Sequence, residues 1–156
     1  MIWLIVVAVA LSLFGSIIWL KPSPRDTRLA ALRFEAIRSG LQVRSFTFKP
    51  DAAKTGIRDD IPGTSYTLLR RGKQQGGDLK FRVVGQAGWD NEGLPEGLSW
   101  HNHGSAADAE LISRMLPQLQ DNLLMLEVYD NRVTLMAAEN KTASAAAYQH
   151  FMEAFF

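Results

Sequence analysis

Hydrophobic residues occur first as one unbroken block and then only as short periodic groups. From Met1 to Leu20 there is no charged residue, and the only polar side chains are Ser12 and Ser16. At about 1.5 Å per helical residue the block reaches roughly 30 Å, the depth of a bilayer's hydrocarbon core. Ser12 and Ser16 can return their hydroxyls to carbonyls one turn back. Trp3 and Trp19 stand near the two ends, where amphipathic rings favour the headgroup level. The pattern predicts an uncleaved transmembrane anchor over 1–20. A cleaved leader needs a basic start and small residues before the cut. Met1-Ile2-Trp3 has no base, and Ile17-Ile18-Trp19-Leu20 is bulky. Leu13-Phe14-Gly15-Ser16 has serine where a lipoprotein box requires cysteine.

Beyond the block the period changes. Pro22-Ser23-Pro24 stops the first helix, and Ser23 with Pro24 and Asp26 reads as the N-cap of a second. Leu29, Leu32, Phe34, Ala36 and Ile37 give that helix a broad apolar stripe ending at Gly40. Residues 41–48 alternate as a strand, and 49–63 form a polar loop closing on a Pro62-Gly63 turn. Residues 64–71 and 79–85 are predicted as two strands of a long-looped hairpin, with the Gly76-Gly77 pair at its tip. That pair lacks the Lys-Ser/Thr and helix start of a phosphate-binding loop. Ser105 to Asp108 forms a capping box for a helix that Pro117 kinks or ends. Residues 123–129 and 132–138 are strands joined at Asp130-Asn131, residue types that tolerate the left-handed conformation of tight hairpins. Asn140 or Thr142 caps a last helix, whose face is Tyr148, Phe151, Met152 and Phe155. The order predicts an α+β fold: a transmembrane helix, then a mainly antiparallel sheet of about five strands with three helices on one face. The chain divides into an anchor (1–20), a basic juxtamembrane helix (21–40) and a soluble α+β domain (41–156).

Composition sharpens the reading. An apolar content of 47% with four tryptophans fits a folded domain rather than a disordered tail. Residues 1–44 carry six basic and two acidic groups, so the remainder carries eleven and fourteen. A mildly acidic domain suits a phosphate backbone poorly, which argues against nucleic-acid binding. Lys21, Arg25 and Arg28 follow the span and place the membrane interface there. By the positive-inside rule they put the amino terminus outside and the domain in the cytoplasm, with anionic headgroups attracting the same residues. The absence of cysteine excludes disulfides, thiolate metal sites and cysteine nucleophiles.

Candidate chemistry gathers in 86–104 (QAGWDNEGLPEGLSWHNHG), which holds two tryptophans, two histidines and three acids without helical period. Residues 97–101 form a short strand there. His101 and His103, two apart, would share one strand face and offer two imidazoles to one metal, with Asp90, Glu92 or Glu96 completing the set. Trp89 and Trp100 are the candidate partner contacts, tryptophan being enriched at binding hot spots as well as in cores. No nucleotide fingerprint, Ser-His frame or P-loop occurs, and the adjacent acids Asp59 and Asp60 sit in a polar loop.

An amino-terminal span, a basic exit and a small cytoplasmic domain resemble the accessory subunits of bacterial membrane machineries, among them the translocase accessory protein YajC. The glycine-rich β motif that follows the basic exit in that protein is missing here. The expectation is a single-pass inner-membrane protein whose domain binds another membrane or cytoplasmic protein, without catalysis and without a cofactor. Two alternatives are a membrane-tethered metal-dependent enzyme using the His-x-His pair, and the same module facing the periplasm.

Overall fold

The computed structural model describes residues 1–72 and 77–156 and divides into two compact units, Met1–Ala31 and Leu32–Phe156. Helix α1 (Ile2–Leu20) has no buried residue and a mean hydropathy of 2.5, and it is long and apolar enough to cross a membrane. Ser12 and Ser16 donate their hydroxyls to the carbonyls of Ala8 and Ser12, each at 2.9 Å, which removes the polar penalty of both.

Helix α2 (Pro24–Arg38) starts where the cap signals place it, with the Asp26 N–H donating to Ser23 Oγ at 3.1 Å. It ends in a Schellman-type turn: Gly40 takes φ +99°, and the Leu41 N–H donates to the Ala36 carbonyl at 3.0 Å. Its apolar stripe is split. Leu32 and Ala36 join the core, whereas Phe34 and Ile37 remain 59% and 57% exposed. Residues five apart from Leu32 and one from Ala36 stand on another side of a 3.6-residue helix, so a stripe this broad cannot all face one sheet.

Six strands form one antiparallel sheet: β1 (Gln42–Phe48), β2 (Ile61–Leu69), β3 (Leu79–Val84), β4 (Ser99–Asn102), β5 (Leu123–Tyr129) and β6 (Arg132–Ala137). Their spatial order is β1-β2-β6-β5-β3-β4. The class is as expected, with one more strand than predicted. The hairpin expected between β2 and β3 does not form, because the β5–β6 hairpin lies between them. Residues 73–76, with Gly76 of the pair at the expected tip, lie outside the described residues. Pro62 and Gly63 lie within β2 rather than in a turn. Pairing with β6 begins only at Ser65, so the missing N–H of Pro62 leaves no gap in that ladder. Asp130-Asn131 joins β5 and β6 as expected, though neither residue is left-handed.

Strand alternation divides the sheet into two faces. One carries Tyr66, Phe81, Val83, Trp100, Leu126, Val128, Val133 and Leu135 into the main core. Leu32 and Ala36 of α2, the face of α4 (Ala106–Met115) and that of α5 (Ala145–Glu153) complete it. The Ser105–Asp108 capping box forms, and a 3₁₀ turn (Leu116–Leu119) replaces the helix at Pro117. Helix α5 is capped by Ser144, not by Asn140 or Thr142. Tyr148, Phe151 and Met152 are fully buried, and each such side chain contributes about 1.5–3 kcal/mol.

The opposite face is covered at one end only. A second cluster of Phe48, Ile57, Ile61, Val84, Met125 and Met136 packs beneath residues 49–60, which include the one-turn helix α3 (Ala52–Thr55). Burying Ile57 and Ile61 is what orders the stretch that its polarity marked as a loop.

Candidate functional site

Trp100 organises the loop before β4. It is 2% exposed, and its ring meets Phe81 edge-on at 5.7 Å. Its backbone N–H donates to the Asp90 carbonyl at 2.6 Å, and its indole Nε1–H to the Glu92 carbonyl at 2.9 Å. One side chain therefore fixes the loop at two points and belongs to the core, so it offers a partner no surface. Trp89 is the reverse, 72% exposed. Its N–H donates to the Thr55 carbonyl at 3.1 Å, and its ring lies across Gly56, where an added Cβ would come within 2.6 Å of the indole nitrogen. At φ +76° and under that ring, glycine meets both demands.

The two histidines do not converge. His101 is buried with both ring nitrogens engaged: Nε2 accepts from the Asp51 N–H at 3.2 Å, and Nδ1 lies 2.6 Å from Asn102 Oδ1. That set matches a neutral ring protonated at Nδ1, with no lone pair left for a metal. His103 lies beyond the strand end and leans on the Trp100 ring at 5.0 Å, with Nδ1 2.8 Å from Asp90 Oδ2. The register shift beside Val83 sends the two side chains to different surroundings, which breaks the alternation a two-residue spacing implies. Asp90, Glu92 and His103 do meet, each bringing one ligand-type atom within 4.8 Å of the others. Two of the three, Asp90 and His103, are the hydrogen-bonded pair at the surface, and Glu92 stands beside them. Glu96 is not one of the three.

The second face of the sheet carries another polar group. Arg82 lies at its centre, with Nε donating to Glu127 Oε1 at 2.7 Å, a second nitrogen to Asn102 Oδ1 at 3.2 Å, and its guanidinium over Phe48 at 5.4 Å. Both members of the pair are mostly buried, and those extra partners offset the cost of desolvating them. Beside it a cleft of about 240 Å³ is lined by Arg44, Phe46, Thr67, Glu127, Arg132 and Thr134. Arg44 and Phe46 belong to β1, an edge strand. No other strand pairs with its outer side among the described residues, and most of its residues are exposed.

Sequence reading missed a buried polar chain behind the main core. Arg33 donates through Nε and Nη2 to both oxygens of Glu139, at 3.1 and 2.9 Å, and the Tyr66 hydroxyl donates to Glu139 Oε2 at 2.6 Å. The Tyr148 hydroxyl donates to Asp121 Oδ2 in a short bond. Asp121 also accepts the backbone N–H groups of Asn122, Glu139 and Asn140. The bond from the Glu139 carboxylate, more than burial opposes it, holds the Arg33 guanidinium charged to higher pH than usual. Burial first, then the acid each phenol faces, pushes Tyr66 and Tyr148 well above the ordinary tyrosine range. Positions 33, 66, 121, 139 and 148 have no common spacing, so no linear motif announces them.

No family model matches the chain, and neither a curated protein nor a solved structure is significantly similar to it.

Proposed function

We propose that the protein is a membrane-tethered, non-catalytic interaction module, whose domain receives an extended segment of a partner protein along β1. The supporting observation is an asymmetry between the two sheet edges. β4 has four residues, a register shift against β3, and α3 packed close by. Short, bulged and covered edges resist further pairing. β1 has seven residues in unbroken register with β2, no proline, and one charge, Arg44. Such an edge is a template for one more strand.

Side chains decide what kind of strand fits. Gln42, Arg44 and Phe46 share the face that holds the cleft, with Arg132 on its far side. An added strand would run beside Arg44 and the exposed Phe46 ring, which favours an acidic residue next to an apolar one. The apolar helix α1 supports attachment to a membrane, and the basic residues from Lys21 onward favour a bacterial inner membrane with the domain in the cytoplasm. The partner is then another membrane or cytoplasmic protein. A reporter fused after Phe156 tests the orientation, since activity only outside the cytoplasm would reverse it.

The docking reading is tested by a photo-crosslinking residue placed at Arg44, Phe46, Glu110 or Lys141 of the full chain in its native membrane. A discrete adduct from positions 44 and 46 alone, mapping to an acidic extended segment, is the expected outcome. Adducts of equal yield from all four positions, or none at β1, would refute it.

A further inference from the structure

Asp90, Glu92 and His103 form a set of two acids and one imidazole, separate from the β1 edge and from buried His101. Each offers one ligand-type atom, and the three atoms lie within 4.8 Å of one another. One side chain organises all three. Trp100 takes the Asp90 carbonyl through its backbone N–H and the Glu92 carbonyl through its indole N–H, and the His103 ring leans on the same indole at 5.0 Å. The two carboxylates and the imidazole therefore project from backbone that a core residue holds in place. Asp90 Oδ2 already stands 2.8 Å from His103 Nδ1. Among the described residues, no lysine or arginine forms an ion pair with Asp90 or Glu92. Two carboxylates thus share a site with a single imidazole as counterpart, and like charges this close repel. A cleft of about 420 Å³ opens alongside, lined by Glu92, His103, Ser105, Glu110 and Ser113.

We propose that Asp90, Glu92 and His103 bind one divalent transition-metal ion of the zinc type. Ligand chemistry selects the ion. An imidazole nitrogen with two carboxylate oxygens suits zinc and its first-row neighbours, whereas magnesium and calcium take oxygen ligands throughout. Charge favours it, since a divalent cation offsets both carboxylates at once. Distance permits it. Ligands at about 2.0–2.2 Å from a tetrahedral ion stand roughly 3.3–3.6 Å apart. The Asp90–His103 contact has only to open slightly, and exposed Glu92 has to close from at most 4.8 Å. The ion takes the place of the proton held between Asp90 and His103, which is released to solvent. Three protein ligands leave a fourth position for water beside the cleft. Binding ties residues 90 and 92 to residue 103 around Trp100, and so stiffens the loop before β4. The inference needs neither the membrane tether nor the β1 edge, and stands or falls apart from both.

Background binding is low, because the chain has three histidines and no cysteine. Full-length protein without a histidine tag is stripped with chelator in detergent. It is then titrated with Zn²⁺ by calorimetry and with Co²⁺ by visible absorption. The expected result is a single ion per chain. His103→Ala and Glu92→Gln each remove a ligand, and should weaken binding by more than the roughly 10–100-fold that loss of an outer partner costs. His150→Ala changes an exposed histidine outside the site and should bind as the wild type does. Co²⁺ should give the absorption bands of a nitrogen- and oxygen-ligated ion, and His103→Ala should lose them. Both ligand variants alter exposed side chains, and urea unfolding with chelator present verifies that they fold. Zn²⁺ should also slow amide hydrogen exchange over residues 86–98 in the wild type and not in His103→Ala. Equal Zn²⁺ affinity in the wild type and His103→Ala would overturn the inference. So would the absence of saturable uptake, or displacement of Zn²⁺ by an equal concentration of Mg²⁺.

Discussion

Glu139 is the most informative residue to perturb, because three separable contributions meet there. Its carboxylate accepts both nitrogens of Arg33 and the hydroxyl of fully buried Tyr66, and its backbone holds φ +58°. In Glu139→Ala the Tyr66 hydroxyl loses its acceptor where water does not reach, at about 1–3 kcal/mol. The Arg33 side chain is 38% exposed and can rehydrate, so its pairing adds only about 0–1 kcal/mol. The expected loss is therefore about 1–4 kcal/mol, or roughly 3–12 °C in melting temperature for a domain of this size. Glu139→Gln retains an acceptor for Tyr66 and should cost about 1 kcal/mol. Glu139→Gly should be about 1 kcal/mol less damaging than Ala, because glycine adopts the left-handed conformation without a Cβ penalty. Urea unfolding of the full chain in detergent, followed by tryptophan fluorescence, measures all three. A double-mutant cycle with Tyr66→Phe isolates the shared bond. If Glu139→Ala and Tyr66→Phe add to within about 0.5 kcal/mol, the two are uncoupled and the reasoning fails.

The two histidines should separate cleanly by unfolding. His101→Ala orphans the Asp51 N–H and opens space beside Phe48, costing about 1–3 kcal/mol, whereas exposed His103→Ala should cost under about 1 kcal/mol. Equal effects would mean that His101 is not structural. Alkaline stability follows from Tyr66 and Tyr148, whose folded pKa values are raised above the unfolded value of 10.0. The stability they contribute is whole below about pH 10 and is lost as pH rises beyond it, because the unfolded chain releases those protons first. A urea midpoint that falls above pH 10 in the wild type, and less steeply in the Tyr66→Phe/Tyr148→Phe protein, is the expected pattern. Gly85→Ala would place a Cβ 1.7 Å from the Leu123 carbonyl oxygen, so β3 must part from β5 and the protein should unfold several degrees lower; an unchanged transition would disprove that close approach. Trp89→Ala should change stability by less than about 1 kcal/mol, given how little of the ring is buried, and a larger loss would make Trp89 a core residue.

What was legible in the sequence was what depends on neighbours along the chain. The Ser23 and Ser105 caps, the stop at Gly40, the break at Pro117 and the buried face of α5 are all set within a few residues, and all are present. Pairing across distance was not legible. Nothing in residues 64–85 reveals that a hairpin made more than forty residues later separates β2 from β3. Tryptophan's dual character left Trp89 and Trp100 indistinguishable until Phe81 and the carbonyls of Asp90 and Glu92 claimed one of them. The His-x-His spacing misled for a local reason, since alternation holds only while a strand keeps its register. The Arg33–Glu139 bond joins residues 106 apart, beyond the reach of any spacing rule.

The strand order also dictates when this protein can fold. β1 with β2, and β3 with β4, leave the ribosome as two separate ribbons, and an isolated pair of strands is marginal in water. Neither can close the sheet until β5 and β6 arrive to join them. With translation at about 5–20 residues per second, the roughly fifty residues between β2 and β5 take roughly 3–10 s to make. Over that interval the inner edges of both ribbons, and the apolar side chains of Tyr66, Phe81 and Val83, lack their final cover. By then α1 has long since emerged, so an anchored chain would wait at the membrane with its central strands missing. A chain cut short of Leu123 would never leave that state, and its loss would register as aggregation and proteolysis rather than as a weakened domain.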